Sequence, residues 1–158
     1  MKYRRFGRTG WQVSGIGYGM WGMAGWTGSS DEESLASLDR AVELGVNFFD
    51  TAWAYGHGHS EKLLGRLVRQ HPGKRLYTAT KIPPKNLKWP ARPEYRLEDV
   101  YPPEHIRSLA EQSLNNLGLD TVDLLQFHVW VDAWGQDERW QRAVDDLKRE
   151  GLARAIGI

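Results

Sequence analysis

The chain has 158 residues, 41% of them hydrophobic and 26% charged, which is the composition of one globular domain with a sizeable core. Its 21 basic and 20 acidic residues leave a formal net charge of +1, so electrostatics give no reason to expect nucleic acid or an anionic membrane as a partner. Cysteine is absent, which excludes a disulfide framework.

The first predicted element is a small β-hairpin. Its strands are expected at Tyr3 to Phe6 and at Gln12 to Ser14, on either side of Gly7-Arg8-Thr9-Gly10, where the glycines permit a turn with positive φ. A short strand from Ile16 to Gly19 follows. After it comes a loop rich in glycine and tryptophan, residues 20–29.

From this point helices and strands alternate. Ser30 and Glu33 have the spacing of a capping box and predict a first helix that ends at Gly45. The later helices are predicted from near Ser60 as the cap, from Pro102-Pro103, and over Glu138 to Arg149. The strands are predicted at Val46 to Asp50, Leu76 to Lys81, Val122 to His128 and Ala153 to Ile158.

This alternation predicts βαβ units with right-handed crossovers and a parallel sheet. No GxGxxG or Walker-type loop opens a helix, which argues against a doubly wound dinucleotide-binding sheet. One long polar segment, residues 82–101, is predicted to be a loop without structure of its own.

Four reactive side chains follow the strand ends. Asp50, Lys81 and His128 close three consecutive predicted strands, and Tyr55 lies in the loop after Asp50. In a parallel barrel these ends meet at one mouth. Taken singly, Asp50, Tyr55 and His128 are better explained as a loop cap, a turn aromatic and a core histidine, whereas a lysine closing a core strand needs solvent or a carboxylate. Their coincidence at one end of the sheet predicts a catalytic set.

The set is chemically coherent as a proton donor. A phenol is a poor acid, with a reference pKa of about 10, but a nearby ammonium makes its proton easier to give. Asp50 would hold Lys81 charged and oriented, and His128 would position a carbonyl oxygen against the phenol. No side chain can supply a hydride, so a cofactor is required.

These residues stand in motifs that resemble the aldo-keto reductase family over the whole chain. The matching segments are Phe6-Gly7-Arg8-Thr9-Gly10, Asn47 to Gly56 with its Asp-Thr-Ala…Tyr-Gly pattern, Ser60-Glu61 with Leu64-Gly65, Thr80-Lys81, Asp123 to His128 and Ala155 to Ile158. The resemblance implies a TIM-type (β/α)8 barrel and NADPH-dependent reduction of a small aldehyde or ketone, with Tyr55 as the general acid. The sequence itself does not distinguish NADPH from NADH, and no metal site is predicted.

The resemblance also implies further site residues. Gly19, Met20, Trp21 and Asp50 are expected at the cofactor, with Met20 standing where a threonine is common. Trp21, Trp53 and Trp130 are candidates for the substrate pocket; for Trp53 and Trp130, packing within a loop is an equal alternative.

A full barrel needs roughly 250 residues, so we interpret residues 1–158 as a single, C-terminally incomplete domain of about five parallel strands after the hairpin. The resemblance implies that the missing units supply most cofactor contacts. We therefore expect the isolated chain to be inactive, to bind NADPH weakly or not at all, and to self-associate, aggregate or remain molten. A regulatory binding subunit, like the barrel-shaped β subunits of potassium channels, and a non-catalytic truncated product are the alternatives.

The predicted location is the cytoplasm. The charged N-terminus leads into no apolar run of the signal-peptide type, and no segment is long and apolar enough to span a bilayer.

Overall fold

The structure, a computed structural model, describes all residues 1–158 and contains two sheets. The first is an antiparallel hairpin of β1 (Tyr3–Arg5) and β2 (Gln12–Ser14). The second is a parallel sheet whose five strands are β3 (Tyr18–Gly19), β4 (Phe48–Asp50), β5 (Tyr77–Ile82), β6 (Val122–Phe127) and β7 (Ala153–Gly157). Their spatial order is their order in the chain, which leaves β3 and β7 as the two edges. The predicted hairpin and five parallel strands are confirmed.

Four long helices connect the parallel strands. They are α1 (Asp31–Glu43), α2 (His59–Gln70), α4 (Pro103–Leu117) and α5 (Glu138–Arg149), and a single turn of helix, α3 (Leu97–Val100), precedes α4. The capping box is confirmed, because the Glu33 N–H donates to Ser30 Oγ and the Ser30 N–H donates to Glu33 Oε2. None of the helices is both long and apolar enough to cross a membrane.

Two local predictions were wrong. Ser60 does not cap α2; the cap position is Gly58, with φ of +88°, and the Ser60 side chain is fully buried. A buried hydroxyl needs partners of its own, and Ser60 finds them in neighbouring strand ends rather than in its own helix. The segment 82–101 is not devoid of structure either. It contains α3, and the buried Tyr101 hydroxyl donates to the Val129 carbonyl across 3.0 Å.

The core lies between the sheet and its helices. Phe49 and Leu125, on the middle strands, are 0% and 2% exposed. Helix α2 packs close against α4 because residue 65 is glycine: a Cβ there would lie 2.0 Å from the Leu117 carbonyl oxygen. This close packing holds the start of α2 directly behind the ends of β4 and β5, where the candidate site is found.

Candidate active site

Parallel pairing brings the predicted catalytic residues together. Asp50 ends β4 and pairs with Ala79 of β5, and Lys81 lies two residues further along β5. His128 follows the last residue of β6, and Tyr55 lies in the loop between β4 and α2. All four therefore meet at the carboxyl end of the sheet, as the strand pattern predicted.

The Lys81 ammonium is the centre of this cluster. Its Nζ lies 2.5 Å from Asp50 Oδ2, 2.8 Å from the Thr51 carbonyl oxygen and 3.5 Å from the Tyr55 hydroxyl. An ammonium carries three protons, and here each has one acceptor within reach. The Lys81 side chain is only 16% exposed, so the paired carboxylate offsets the cost of burying its charge.

Asp50 is held on both of its oxygens. Oδ2 accepts from Lys81, and Oδ1 accepts from Gln126 Nε2 across 3.1 Å. Gln126 is directly opposite Lys81 in the β5–β6 pairing, which is why its amide reaches the same carboxylate. Gln126 was not predicted from the sequence. Its only signal is its place two residues before His128 along the predicted strand Val122 to His128, which would put both side chains on one face.

His128 is a neutral imidazole at this site. Burial, reinforced by the neighbouring Lys81 cation and opposed by Asp50, lowers the pKa of His128 to about 4. Its ring centre lies 5.7 Å from that of Tyr55, edge to face. Nδ1 is buried without a hydrogen-bond partner. Leaving a bare ring nitrogen unpaired costs less than leaving an N–H unpaired, so we assign the single proton to Nε2.

The low pKa of His128 predicts a pH dependence of stability. An unfolded histidine titrates near 6.5 and the folded His128 near 4, so in between the unfolded chain binds more protons. This contribution to the free energy of unfolding is fully present above about pH 6.5 and is lost as the pH falls towards 4. An NMR titration of the imidazole resonances checks the pKa. We expect a midpoint near 4, and a higher midpoint in Lys81→Met, which removes the cation; a wild-type midpoint near 6.5 would contradict the assignment.

Aromatic rings form a continuous row across the mouth. The ring centres of Trp26 and Tyr55 lie 6.4 Å apart, edge to face, and those of Trp21 and Trp26 lie 5.3 Å apart. At the other end of the row is Trp89, from the 82–101 segment, whose ring centre lies 4.5 Å from that of His128. Trp21 was predicted from the sequence, whereas Trp26 and Trp89 were not. Both come from long loops whose course is not set by strand or helix periodicity.

The two other tryptophans proposed for the substrate pocket, Trp53 and Trp130, make their aromatic contacts outside this row. Trp53 is partly buried and its ring lies 5.3 Å from that of His57. Trp130 packs against Phe127, Trp134 and Trp140, and its ring contacts neither Tyr55 nor His128. This placement supports packing for Trp130, and the pocket roles of Trp53 and Trp130 both stay predictions.

The residues proposed to contact the cofactor differ in their exposure to solvent. The Met20 side chain is fully buried in the core, its N–H donates to the Asp50 carbonyl, and its own carbonyl accepts from Ser60. Its side chain is therefore unavailable to a molecule at the mouth. Gly19 and Trp21 are exposed, and no atom lies within 4 Å of the place where a Gly19 Cβ would be. That open surface beside Asp50 could accept a flat ring.

Comparison with known proteins decides the family. The model of the aldo/keto reductase family matches residues 15–158. The chain belongs to this family. It is 33% identical to the aldo-keto reductase YhdN of Bacillus subtilis over 100% of the chain and 46% of YhdN. It is 32% identical to the L-galactose dehydrogenase of Arabidopsis thaliana, again over the whole chain and 48% of that protein.

Solved structures agree with the fold. The chain matches the holo form of aldo-keto reductase AKR11C1 from Bacillus halodurans with a TM-score of 0.78 and 27% identity, covering 100% of this chain and 50% of that one. The architecture is thus part of the (β/α)8 barrel predicted from the sequence, preceded by the N-terminal hairpin. The chain spans about half the length of the curated relatives that it matches.

Proposed function

We propose that this chain carries the proton-donating half of an NAD(P)H-dependent carbonyl reductase, in which Tyr55 protonates the carbonyl oxygen of a small aldehyde or ketone. One observation carries the proposal: the Lys81 ammonium lies between the Asp50 carboxylate and the Tyr55 hydroxyl. That arrangement stabilises negative charge on the phenol oxygen at the moment its proton leaves.

The residues have distinct tasks in this mechanism. The His128 Nε2–H donates a hydrogen bond to the carbonyl oxygen and holds it near the Tyr55 hydroxyl. As the carbonyl carbon is reduced, charge develops on that oxygen and the Tyr55 proton transfers to it, which yields the alcohol. Lys81 neutralises the phenolate, and Asp50 with Gln126 keeps the ammonium in place.

A reduced nicotinamide would supply the hydride. The exposed residues beside Asp50, Gly19 and Trp21, fit one face of such a ring. No glycine-rich loop opens an α-helix of this chain as a phosphate-binding loop would, so its residues do not identify NADPH over NADH. NADPH is the cofactor we propose, and both belong in the test.

The test completes the barrel with a relative. We define the completed chimera as residues 1–158 followed by the part of Bacillus subtilis YhdN that lies beyond the matched segment, since the chain covers 46% of YhdN. We expect it to consume NADPH or NADH only when an aldehyde such as 4-nitrobenzaldehyde is present, as followed by nicotinamide absorbance. A folded chimera that turns over neither cofactor with any aldehyde or ketone would overturn the proposal.

A further inference from the structure

Ser60 and Glu61, the first residues of α2 after His59, are both 0% exposed although both are polar. They lie behind the mouth rather than in it. Neither belongs to the proton-donating set, and the motif Ser60-Glu61 has no part in the mechanism above. Buried polar groups at a helix start are costly unless they are fully hydrogen-bonded, so their partners indicate what they do.

Ser60 connects the ends of two strands. Its Oγ accepts from the Thr51 hydroxyl at 2.7 Å and donates to the Met20 carbonyl at 3.2 Å. Thr51 follows Asp50 directly, and its carbonyl oxygen is one of the three acceptors of Lys81. The Ser60 hydroxyl therefore positions Thr51, whose backbone carbonyl in turn binds the Lys81 ammonium.

Glu61 holds the next strand end. Its Oε1 accepts from the Thr80 hydroxyl at 2.6 Å and its Oε2 from Asn116 Nδ2 at 2.8 Å. Thr80 immediately precedes Lys81. Both carboxylate oxygens therefore have a donor, and no cation lies within 4 Å, so Glu61 is bound by neutral hydrogen bonds alone.

We infer that Ser60 and Glu61 are positioning residues that fix the ends of β4 and β5 relative to each other, and so set the contact of Lys81 with Asp50 and Tyr55. This inference deepens the proposed function, because it concerns the same site. Ser60 and Glu61 act from α2, through their hydrogen bonds with Thr51 and Thr80, and neither contacts a reacting atom.

The test compares two threonines of one strand in the completed chimera. Thr80→Val removes the donor to Glu61 with almost no change in shape. Thr78→Val is the matched control, because Thr78 is also buried on β5 and its hydroxyl contacts the buried carboxylate of Asp123, away from the mouth. The readout is the rate at which trace amounts of an amine reagent label Lys81, relative to the exposed Lys74, measured by mass spectrometry.

We expect Thr80→Val to raise Lys81 labelling about 2- to 10-fold, the factor that corresponds to losing one hydrogen bond, and Thr78→Val to leave it unchanged. Urea unfolding of both variants shows whether their global stabilities fall equally. Ser60→Ala should also raise Lys81 labelling, with Ser113→Ala as its control, since the buried Ser113 hydroxyl has no partner to lose.

Equal labelling of Lys81 in Thr80→Val and Thr78→Val would overturn the inference, whether both rates rise or neither does. Labelling needs no cofactor and no carbonyl substrate. A completed chimera that fails to reduce carbonyls but shows the Lys81-specific difference would therefore support the positioning role of Ser60 and Glu61 and overturn only the proposed function.

Discussion

Replacing Tyr55 by phenylalanine in the completed chimera should lower the rate of carbonyl reduction about 10²- to 10⁴-fold, the usual contribution of a general acid. The substitution removes one oxygen atom and keeps the ring that contacts Trp26 and His128. Cofactor affinity should stay nearly unchanged, because the phenol acts on the substrate oxygen. Turnover numbers and cofactor titration by fluorescence, on the same preparation, separate the two effects.

A matched control for this experiment is Tyr95→Phe. Tyr95 lies in the 82–101 segment. Its ring centre is 5.4 Å from Lys88 Nζ, whereas Tyr55 contacts Lys81. It loses the same atom as Tyr55→Phe and should reduce aldehydes at the parent rate. Near-native turnover by Tyr55→Phe would show that another group donates the proton.

The strand ends of the site could be predicted because they depend on local pattern. Asp50 ends β4, Lys81 is the penultimate residue of β5 and His128 directly follows β6, and parallel strands present their carboxyl ends at one edge. The capping box of α1 was equally predictable, since it involves residues only three apart. Local rules of this kind needed no knowledge of how distant segments meet.

The remaining site contacts join segments that are far apart in the chain. The Gln126 amide reaches a carboxylate 76 residues away, and only the register between β5 and β6 places it there. Trp89 reaches His128 through a loop whose path no periodicity defines. Serine favours the N-cap position of a helix, but Ser60 is buried against Thr51 inside the first turn of α2 instead. Tertiary packing, which a single sequence does not display, decided each case.

The second large effect concerns the 158-residue chain by itself, which we expect to self-associate and to reduce no carbonyl. Both edges of its sheet are open, since β3 and β7 each pair with one neighbour only. Beside β7 lies a groove of about 710 Å³ lined by apolar residues, among them Trp140 and Ile156, and by charged ones, among them Lys148 and Arg154. Unpaired edges next to apolar surface are the usual sites of strand addition by other copies.

The energies involved are large relative to the stability of a domain. One large apolar side chain left uncovered forfeits about 1.5–3 kcal/mol, whereas a whole domain is stable by about 5–15 kcal/mol. Covering β7 by a second copy would recover part of that loss. Light scattering after size exclusion should therefore report a mass above that of a monomer. Fluorescence titration should detect no micromolar NADPH binding, because no glycine-rich phosphate-binding loop opens an α-helix in these residues.

Two substitutions that each introduce a charge test whether copies of the chain associate through the β7 edge. Ile158 is 70% exposed beside the β7 edge, so Ile158→Lys adds a charge there without disturbing the core and should shift the population towards monomer. Leu44→Lys, at a position 56% exposed after α1, makes the same change away from β7 and should leave the association unchanged. If the wild-type chain is instead a compact monomer that binds NADPH at micromolar concentration and reduces an aldehyde, the open edges are not a liability and these strands are sufficient for catalysis.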